Sequence, residues 1–332
     1  MDALRWTALA ELEPQPEWTK KAALVVHRAA TDLVCGDLRW TDSASFAQRL
    51  IVLHDDASIY AVIAHYLEVN DDPEIALGAG ARVIRVPMVT GSPAAVHAAS
   101  ARIGDLVRHL REIHGPQRIS IQIPSTTRAW DQALTAASFV CDSRMSIRKP
   151  ALANVTTLSG VIIRPAEASD ASAAAALFRE SMQTLDRASL FVAPNESAAV
   201  SVYERYRTCF QGRTQSGSDV QVATGVDGLV VAVLEVTEQV SPAAYAIQQT
   251  PLGESLSLDW IAVALPWRGR GIGRQLVTSA LDSAARRSVT AAFCYHLTSQ
   301  YGPAAFWESS GFRPAWETWE LGRSEEDKTV DW

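Results

Sequence analysis

The residues Arg268-Gly269-Arg270-Gly271-Ile272-Gly273 alternate three glycines with two arginines and an isoleucine. Glycines placed between a strand and a helix N-terminus let backbone N–H groups approach an anion closely, and the helix dipole favours the negative charge. The chemistry this suits is the binding of a pyrophosphate. The pattern Arg-x-x-Gly-x-Gly is weak alone, and its neighbours give it weight. An apolar strand from Leu256 to Val263 precedes it, with a turn at Pro266 between. Leu276, Val277, Ala280, Leu281 and Ala284 follow at helical spacing and form one buried stripe. A dinucleotide-binding loop fits poorly, because it would follow the first strand of a domain and want an acidic residue about 20 residues onward. Two ionisable residues flank this region: Asp259 within the preceding strand, and His296 at the end of the following one. Period-two geometry puts Ser257, Asp259 and Ile261 on one strand face, where only Asp259 ionises.

The elements that must hold these residues are legible as well. Arg286 and Arg287 fall in the last turn of the glycine-led helix, where cations complement its dipole. Ala291 to His296 reads as a strand, and Pro303 to Ser310 as a short helix stopped by Gly311. Phe312 opens the last strand. The first half repeats this order: a strand at Val83 to Val86, then Ile103, Leu106, Val107, Leu110 and Ile113 on a helix closed by Gly115. A strand with Ile119, Ile121 and Ile123 and a helix from Thr127 to Ala137 follow, and Ser138-Phe139 closes the unit as Gly311-Phe312 closes the second. Phe312 minus Phe139 is 173, and this one offset aligns every paired element, as an internal repeat requires. Shifting Arg268, Gly271 and Gly273 back by 173 lands on Ala95, Ala98 and Ser100. A side chain at each glycine position would crowd the phosphates there, and no cation replaces the arginine.

Between the halves, Lys149 to Gly160 is small, polar and proline-broken. The expected division is residues 1–150 as a first unit without a cofactor loop, 151–159 as linker, and 160–332 as the catalytic unit. After the linker a strand at Val161 to Arg164 and an alanine-rich helix opened by Asp170 restart the pattern.

Leu258 through Gly273 resembles motif A of the GNAT superfamily of N-acyltransferases, and Ala304-Ala305-Phe306-Trp307-Glu308-Ser309-Ser310-Gly311-Phe312 resembles its motif B. The resemblance runs from about Val161 to Leu321, with the first half as a degenerate copy in a tandem GNAT chain. The tandem plan is similar to that of mycothiol synthases. Leu38 to Phe46 loosely resembles the start of the dTDP-fucosamine acetyltransferases. The implied fold is α/β: two GNAT-like domains, each a mixed twisted sheet flanked by helices.

The resemblance implies acetyl-CoA or another acyl-CoA as acyl donor, without a metal. It assigns the donor to the main chain of Ile261, Ala262 and Val263 and to Arg268, Gly269, Arg270, Gly271, Ile272, Gly273 and Arg274, with Gln300 and Trp307 nearby. An amine attacks a thioester only when neutral, so a base is needed, and the oxyanion needs a donor. Asp259 is the first choice for the base, His296 the second because its ordinary pKa suits the task, and Glu254 a weaker third. The family's tyrosine acid falls at Trp307, whose indole cannot serve, and the family's asparagine is replaced by Gln300. Tyr301 or Tyr295 would then take the role, or the thiolate leaves unassisted. The acceptor is expected near Arg179, Glu180, Met182, Gln183, Arg187 and Phe191. It is read as the amine of a small molecule, an amino sugar by preference. A mycothiol-synthase-like acetyltransferase and a non-catalytic acyl-CoA sensor are the alternatives.

A net charge of −7 over 332 residues argues against a nucleic-acid partner. Cys35, Cys141, Cys209 and Cys294 are scattered, which reads as reduced, buried thiols and not as a metal site or disulfide frame. The opening Met1-Asp2-Ala3-Leu4-Arg5-Trp6 lacks the regions of a signal peptide, and no apolar run approaches the roughly 18 residues of a membrane span. The expectation is a cytoplasmic monomer or homodimer with no membrane partner.

Overall fold

The computed structural model describes residues 5–8, 18, 20–25, 50–55, 58–69, 82–90, 93–115, 117–125, 129–153, 158–186, 218–241, 249–251, 253–299 and 301–321. In the first half, β1 (Arg5–Ala8), β2 (Leu50–His54), β3 (Ile59–Ala64), β4 (Tyr66–Val69) and β5 (Arg82–Thr90) precede α1 (Pro93–Ser100) and α2 (Ile103–His114). Then come β6 (Arg118–Pro124), α3 (Ala129–Ala136) and β7 (Phe139–Arg148). The second half holds β8 (Val161–Pro165), α4 (Ala171–Asp186), β9 (Ser218–Gly225), β10 (Val230–Ser241) and β11 (Gly253–Val263). It closes with α5 (Ile272–Arg286), β12 (Ala291–Leu297), α6 (Tyr301–Ser309) and β13 (Arg313–Leu321). No helix among these residues is long and apolar enough to cross a membrane.

The repeat is visible element by element. Adding 173 to the limits of β6, 118 and 124, gives 291 and 297, the limits of β12. The same shift carries β5, α2, α3 and β7 onto β11, α5, α6 and β13 within a few residues. Backbone detail follows it too. Gly115 and Ser288, and again Ser138 and Gly311, are 173 apart, and all four have a positive φ. At two of them a serine holds a conformation that favours glycine, so the turn is set by the fold around it.

One mixed sheet joins the halves, in the order β1-β2-β3-β5-β6-β13-β7-β12-β11-β10-β9-β8, with β4 also on β5. The β5–β6 and β11–β12 pairs are parallel and the rest antiparallel. The last strand of each half lies beside the other half's sheet: β13 pairs with β6, and β7 pairs with β12. The two exchanged strands pair with one another at the centre.

Burial follows the apolar periodicity. Leu276, Val277, Ala280, Leu281 and Ala284 of α5 are buried beneath the second half of the sheet, as their spacing predicts. Ile103, Leu106 and Leu110 of α2 do the same in the first half, whereas Ile113 is exposed near the helix end. In β6 the polar Ser120 and Gln122 are buried along with the isoleucines. A central strand is covered on both faces, and Ser120 answers its burial by accepting a bond from Arg85 at 2.9 Å. The segment expected as a linker is tied down where it is described: the Ala153 N–H donates to Asp282 at 3.0 Å, and Leu158 packs against the α5 cluster. Cys141 and Cys294 are unpaired thiols, and burial pushes Cys141 up to about 12.

Candidate active site

α5 begins at Gly271, whose φ of 82° is left-handed, and Gly269 has a φ of 75°. Its first intrahelical bond is donated by Gln275 to the Gly271 carbonyl, at 3.0 Å. The N–H groups of Ile272, Gly273 and Arg274 therefore lack helical acceptors and point out of the helix end, the geometry that holds an anion. A Cβ on Gly269 would meet open space, and one on Gly271 would only reach Leu158 at 4.0 Å. These glycines serve the backbone conformation. Gly273 corrects the expectation that a side chain there crowds the phosphates: its Cβ would point inward, 3.4 Å from Phe306 and 3.5 Å from Ile261. The arginines surround the loop. Arg268 donates to the Val263 carbonyl at 2.8 Å and lies 3.6 Å from Glu180, Arg270 stacks over Trp267, and Arg274 bonds Ser309 at 3.1 Å.

The strand before the loop opens toward its neighbour. β11 and β12 are in register only from Ser255↔Ala291 to Leu258↔Cys294. Beyond that point β11 stays with β10 to Val263, while β12 stays with β7 to Leu297. The edge of residues 260–263 that faces β12 has no strand partner among the described residues. Apart from the Val263 carbonyl, which Arg268 holds, it is a ladder edge of the kind an extended ligand can pair with.

A β-bulge sits at the mouth of this opening. Glu235 pairs with Trp260 and Val236 with Leu258, which leaves Asp259 as the extra residue. The bulge reverses the strand's alternation. Leu256 and Leu258 before it, and Ile261 and Val263 after it, all pack on the α5 side. Trp260 and Ala262 lie on the α4 side, where the Trp260 ring is 4.4 Å from Phe178. Ser257 and Asp259 therefore share the α4 face while Ile261 does not, which corrects the reading of all three on one face. The Asp259 carboxylate accepts the Thr237 hydroxyl at 2.5 Å and the Ser257 hydroxyl on its other oxygen. Glu235, on the same face of β10, is buried, with 2% exposure.

His296 lies elsewhere. It alternates with Cys294 and Ala292, which pack on the α5 side, so it is on the face opposite Asp259. Its Nε2 is 3.1 Å from the Ser146 hydroxyl in a buried contact. Burial pushes its pKa down; the neighbouring Arg144 adds to this, and the Leu297 backbone and Glu308 oppose it. Tyr295, next to it, is on the Asp259 face and half exposed, edge-on to Phe293. Phe293 shares a core cluster with Ala22 and Val25 of the first half. The cleft beside Asp259 is thus bounded by α4 on one flank and by first-half residues on the other.

Trp307 is a core residue, 5% exposed, edge-on to Phe306 and Phe312. Its indole packs in the core cluster beneath α5. Arg179 and Glu180 are exposed on α4, Met182 and Gln183 continue the same helix, and Glu254 is exposed at the start of β11. The side chains of Met182 and Tyr301, and Gln300, Arg187 and Phe191 altogether, lie outside the described residues. Thr237 and Glu235 were not singled out from the sequence. A lone carboxylate in the apolar run Val230 to Val236 was the available signal for Glu235. In the first half, Ala95, Ala98 and Ser100 lie within α1, so the positions matching the glycine loop form a helix of their own.

An open strand edge, a bulged carboxylate and a glycine-led helix N-terminus thus lie together in the second half of the chain. Residues 227–314 match the model of the acetyltransferase (GNAT) domain, a segment that contains β10 to α6. The chain thus carries a GNAT acetyltransferase domain. A GCN5-related N-acetyltransferase from Sphaerobacter thermophilus is similar in structure over 98% of both chains, at 13% identity and a TM-score of 0.52. Two others are a tandem GNAT protein from the clavulanic acid biosynthesis pathway, at 13% identity over 97% of this chain and 100% of that one, and a GCN5-related N-acetyltransferase from Kribbella flavida, at 13% over 91% and 96%; both have TM-scores of 0.44. No curated protein matches the sequence.

Proposed function

We propose that this protein transfers an acyl group from an acyl-CoA to the amine of a small molecule, in the second half of the chain. The observation that carries this reading is the alignment of three features along one path. The N-terminus of α5 would hold the pyrophosphate through the N–H groups of Ile272, Gly273 and Arg274, with Arg268 and Arg270 beside it. The free edge of β11 would hold the pantetheine arm by the main chain of Ile261 to Val263. Asp259, at the mouth of the split, would take the proton of the attacking amine on the α4 face. Acyl-CoA supplies the activated thioester when bound. The chain's own part is to orient the carbonyl against backbone donors, keep the amine neutral and exclude water.

The division into 1–150, linker 151–159 and 160–332 belongs to the same proposal, with the donor bound by the second unit alone. The helix Pro93–Ser100 supports this, because Ala95, Ala98 and Ser100 lie within it where the second half has its glycine loop. An amino-sugar acceptor remains the preferred substrate class, and it rests on a resemblance at residues outside the described structure. Titrating the protein with acetyl-CoA by calorimetry should give one site per chain. Thiol release should then appear with an amino sugar and not with peptides; two equivalent donor sites, or turnover of peptides alone, would reject this reading.

A further inference from the structure

We infer that Thr237 and Ser257 are positioning residues that hold the Asp259 carboxylate ionised and fixed on the α4 face of β11. This rests on the reading of Asp259 as the base and deepens it. Asp259 is the extra residue of a bulge, so no opposite residue on β10 fixes its orientation. Two hydroxyl donors do so instead, from the Thr237–Ser257 pair that precedes the bulge. Thr237 reaches one carboxylate oxygen from β10, across the ladder, and Ser257 reaches the other from two residues earlier on the same strand. Both hydroxyls are side chains of ladder residues, Thr237 opposite Ser218 and Ser257 opposite Phe293. They are therefore as well fixed as the sheet.

Donors to a carboxylate stabilise its charged form, which lowers the pH at which it ionises. Among the described residues, the other ionisable groups on this side are Glu235 on β10, Tyr295 on β12, and Glu180 on α4, which is paired with Arg268. Glu235 is buried on the same face. The two hydroxyls donate to both oxygens of Asp259 and so favour its charged form. Each donates its own hydrogen to Asp259, so neither can itself take the amine's proton; they act only through the carboxylate.

The test is a 13C-carboxyl titration of aspartate-labelled protein, with the Asp259 resonance assigned by its loss in Asp259→Asn. Thr237→Val and Ser257→Ala should each raise the midpoint by about half to one pH unit. Thr237→Ser should restore it, and acetyl-CoA affinity should stay within about twofold in all variants. An unmoved midpoint in both single variants would overturn the inference. The pH profile of thiol release with glucosamine as acceptor separates it from the underlying reading. If the acidic limb of kcat/KM moves with the carboxyl midpoint, both stand. If the carboxyl midpoint moves while the limb stays, the hydroxyls position Asp259 but Asp259 is not the base.

Discussion

Arg144 donates from its Nε to Glu317 at 2.9 Å, and the two residues are 173 positions apart, the offset that carries one half of the chain onto the other. Each is therefore the other's counterpart in the repeat, and their register pairing places them where the two exchanged strands cross. A residue facing its own repeat equivalent marks an axis of approximate twofold symmetry. The two positions have diverged to opposite charges, because identical charges directly opposite would repel.

The exchange of β13 into the first half is held by a buried charge cluster. Glu320 is 2% exposed, with Arg118 at 2.9 Å and Arg85 at 3.7 Å. Burial pushes its carboxyl up, and the guanidiniums pull it back. Arg118→Ala should cost about 3 kcal/mol at neutral pH, the scale of leaving a buried charge unpaired. A raised folded pKa means the folded state holds the proton more tightly, so the loss should grow as pH rises above the ordinary value of 4.5. Denaturant unfolding at pH 5 and pH 8 measures it, and an equal loss at both would disprove the role given to Glu320.

Asp259→Asn should lower kcat/KM by about 10²-fold and remove the acidic limb of the profile, while CoA affinity barely changes. His296→Gln should keep that limb and lose at most about tenfold through packing. His296 is kept neutral by burial, so its unfolded form binds the extra proton, and the native protein loses stability as pH falls through 6.5. That loss should be absent in His296→Gln. A vanished limb in His296→Gln with a mild Asp259→Asn would reverse the roles.

Gly271→Ala should cost about 1–2 kcal/mol from left-handed strain and displace the N–H groups that face the phosphates, weakening CoA binding at least tenfold. Gly273→Ala should be far milder, because its new methyl meets Phe306 and Ile261 at ordinary contact distance. Calorimetric titration of both variants with CoA decides it; equal losses would mean that the methyl at Gly273 does reach the ligand.

What the sequence by itself determined is the local and the periodic. The glycine loop, the apolar stripe of α5, the strand and helix order and the 173-residue repeat are all set by neighbours within a few residues, or by a pattern stated twice. The strand at Ala291 and the helix before Gly311 needed nothing further. Tertiary structure decided which faces meet. The bulge at Asp259 depends on how β11 lies against β10, a register that β11's residues do not encode alone. Period two therefore placed Ile261 on the wrong face beside Asp259. The exchange of β7 and β13 is likewise invisible in a linear pattern, since either strand satisfies the hydrogen bonds of either sheet edge equally well. Packing settles that choice: Glu320 finds Arg118 and Arg85 only when β13 lies beside β6. Trp307 sat at a motif position that suggested chemistry, and only the packing of Phe306 and Phe312 around it showed a core residue.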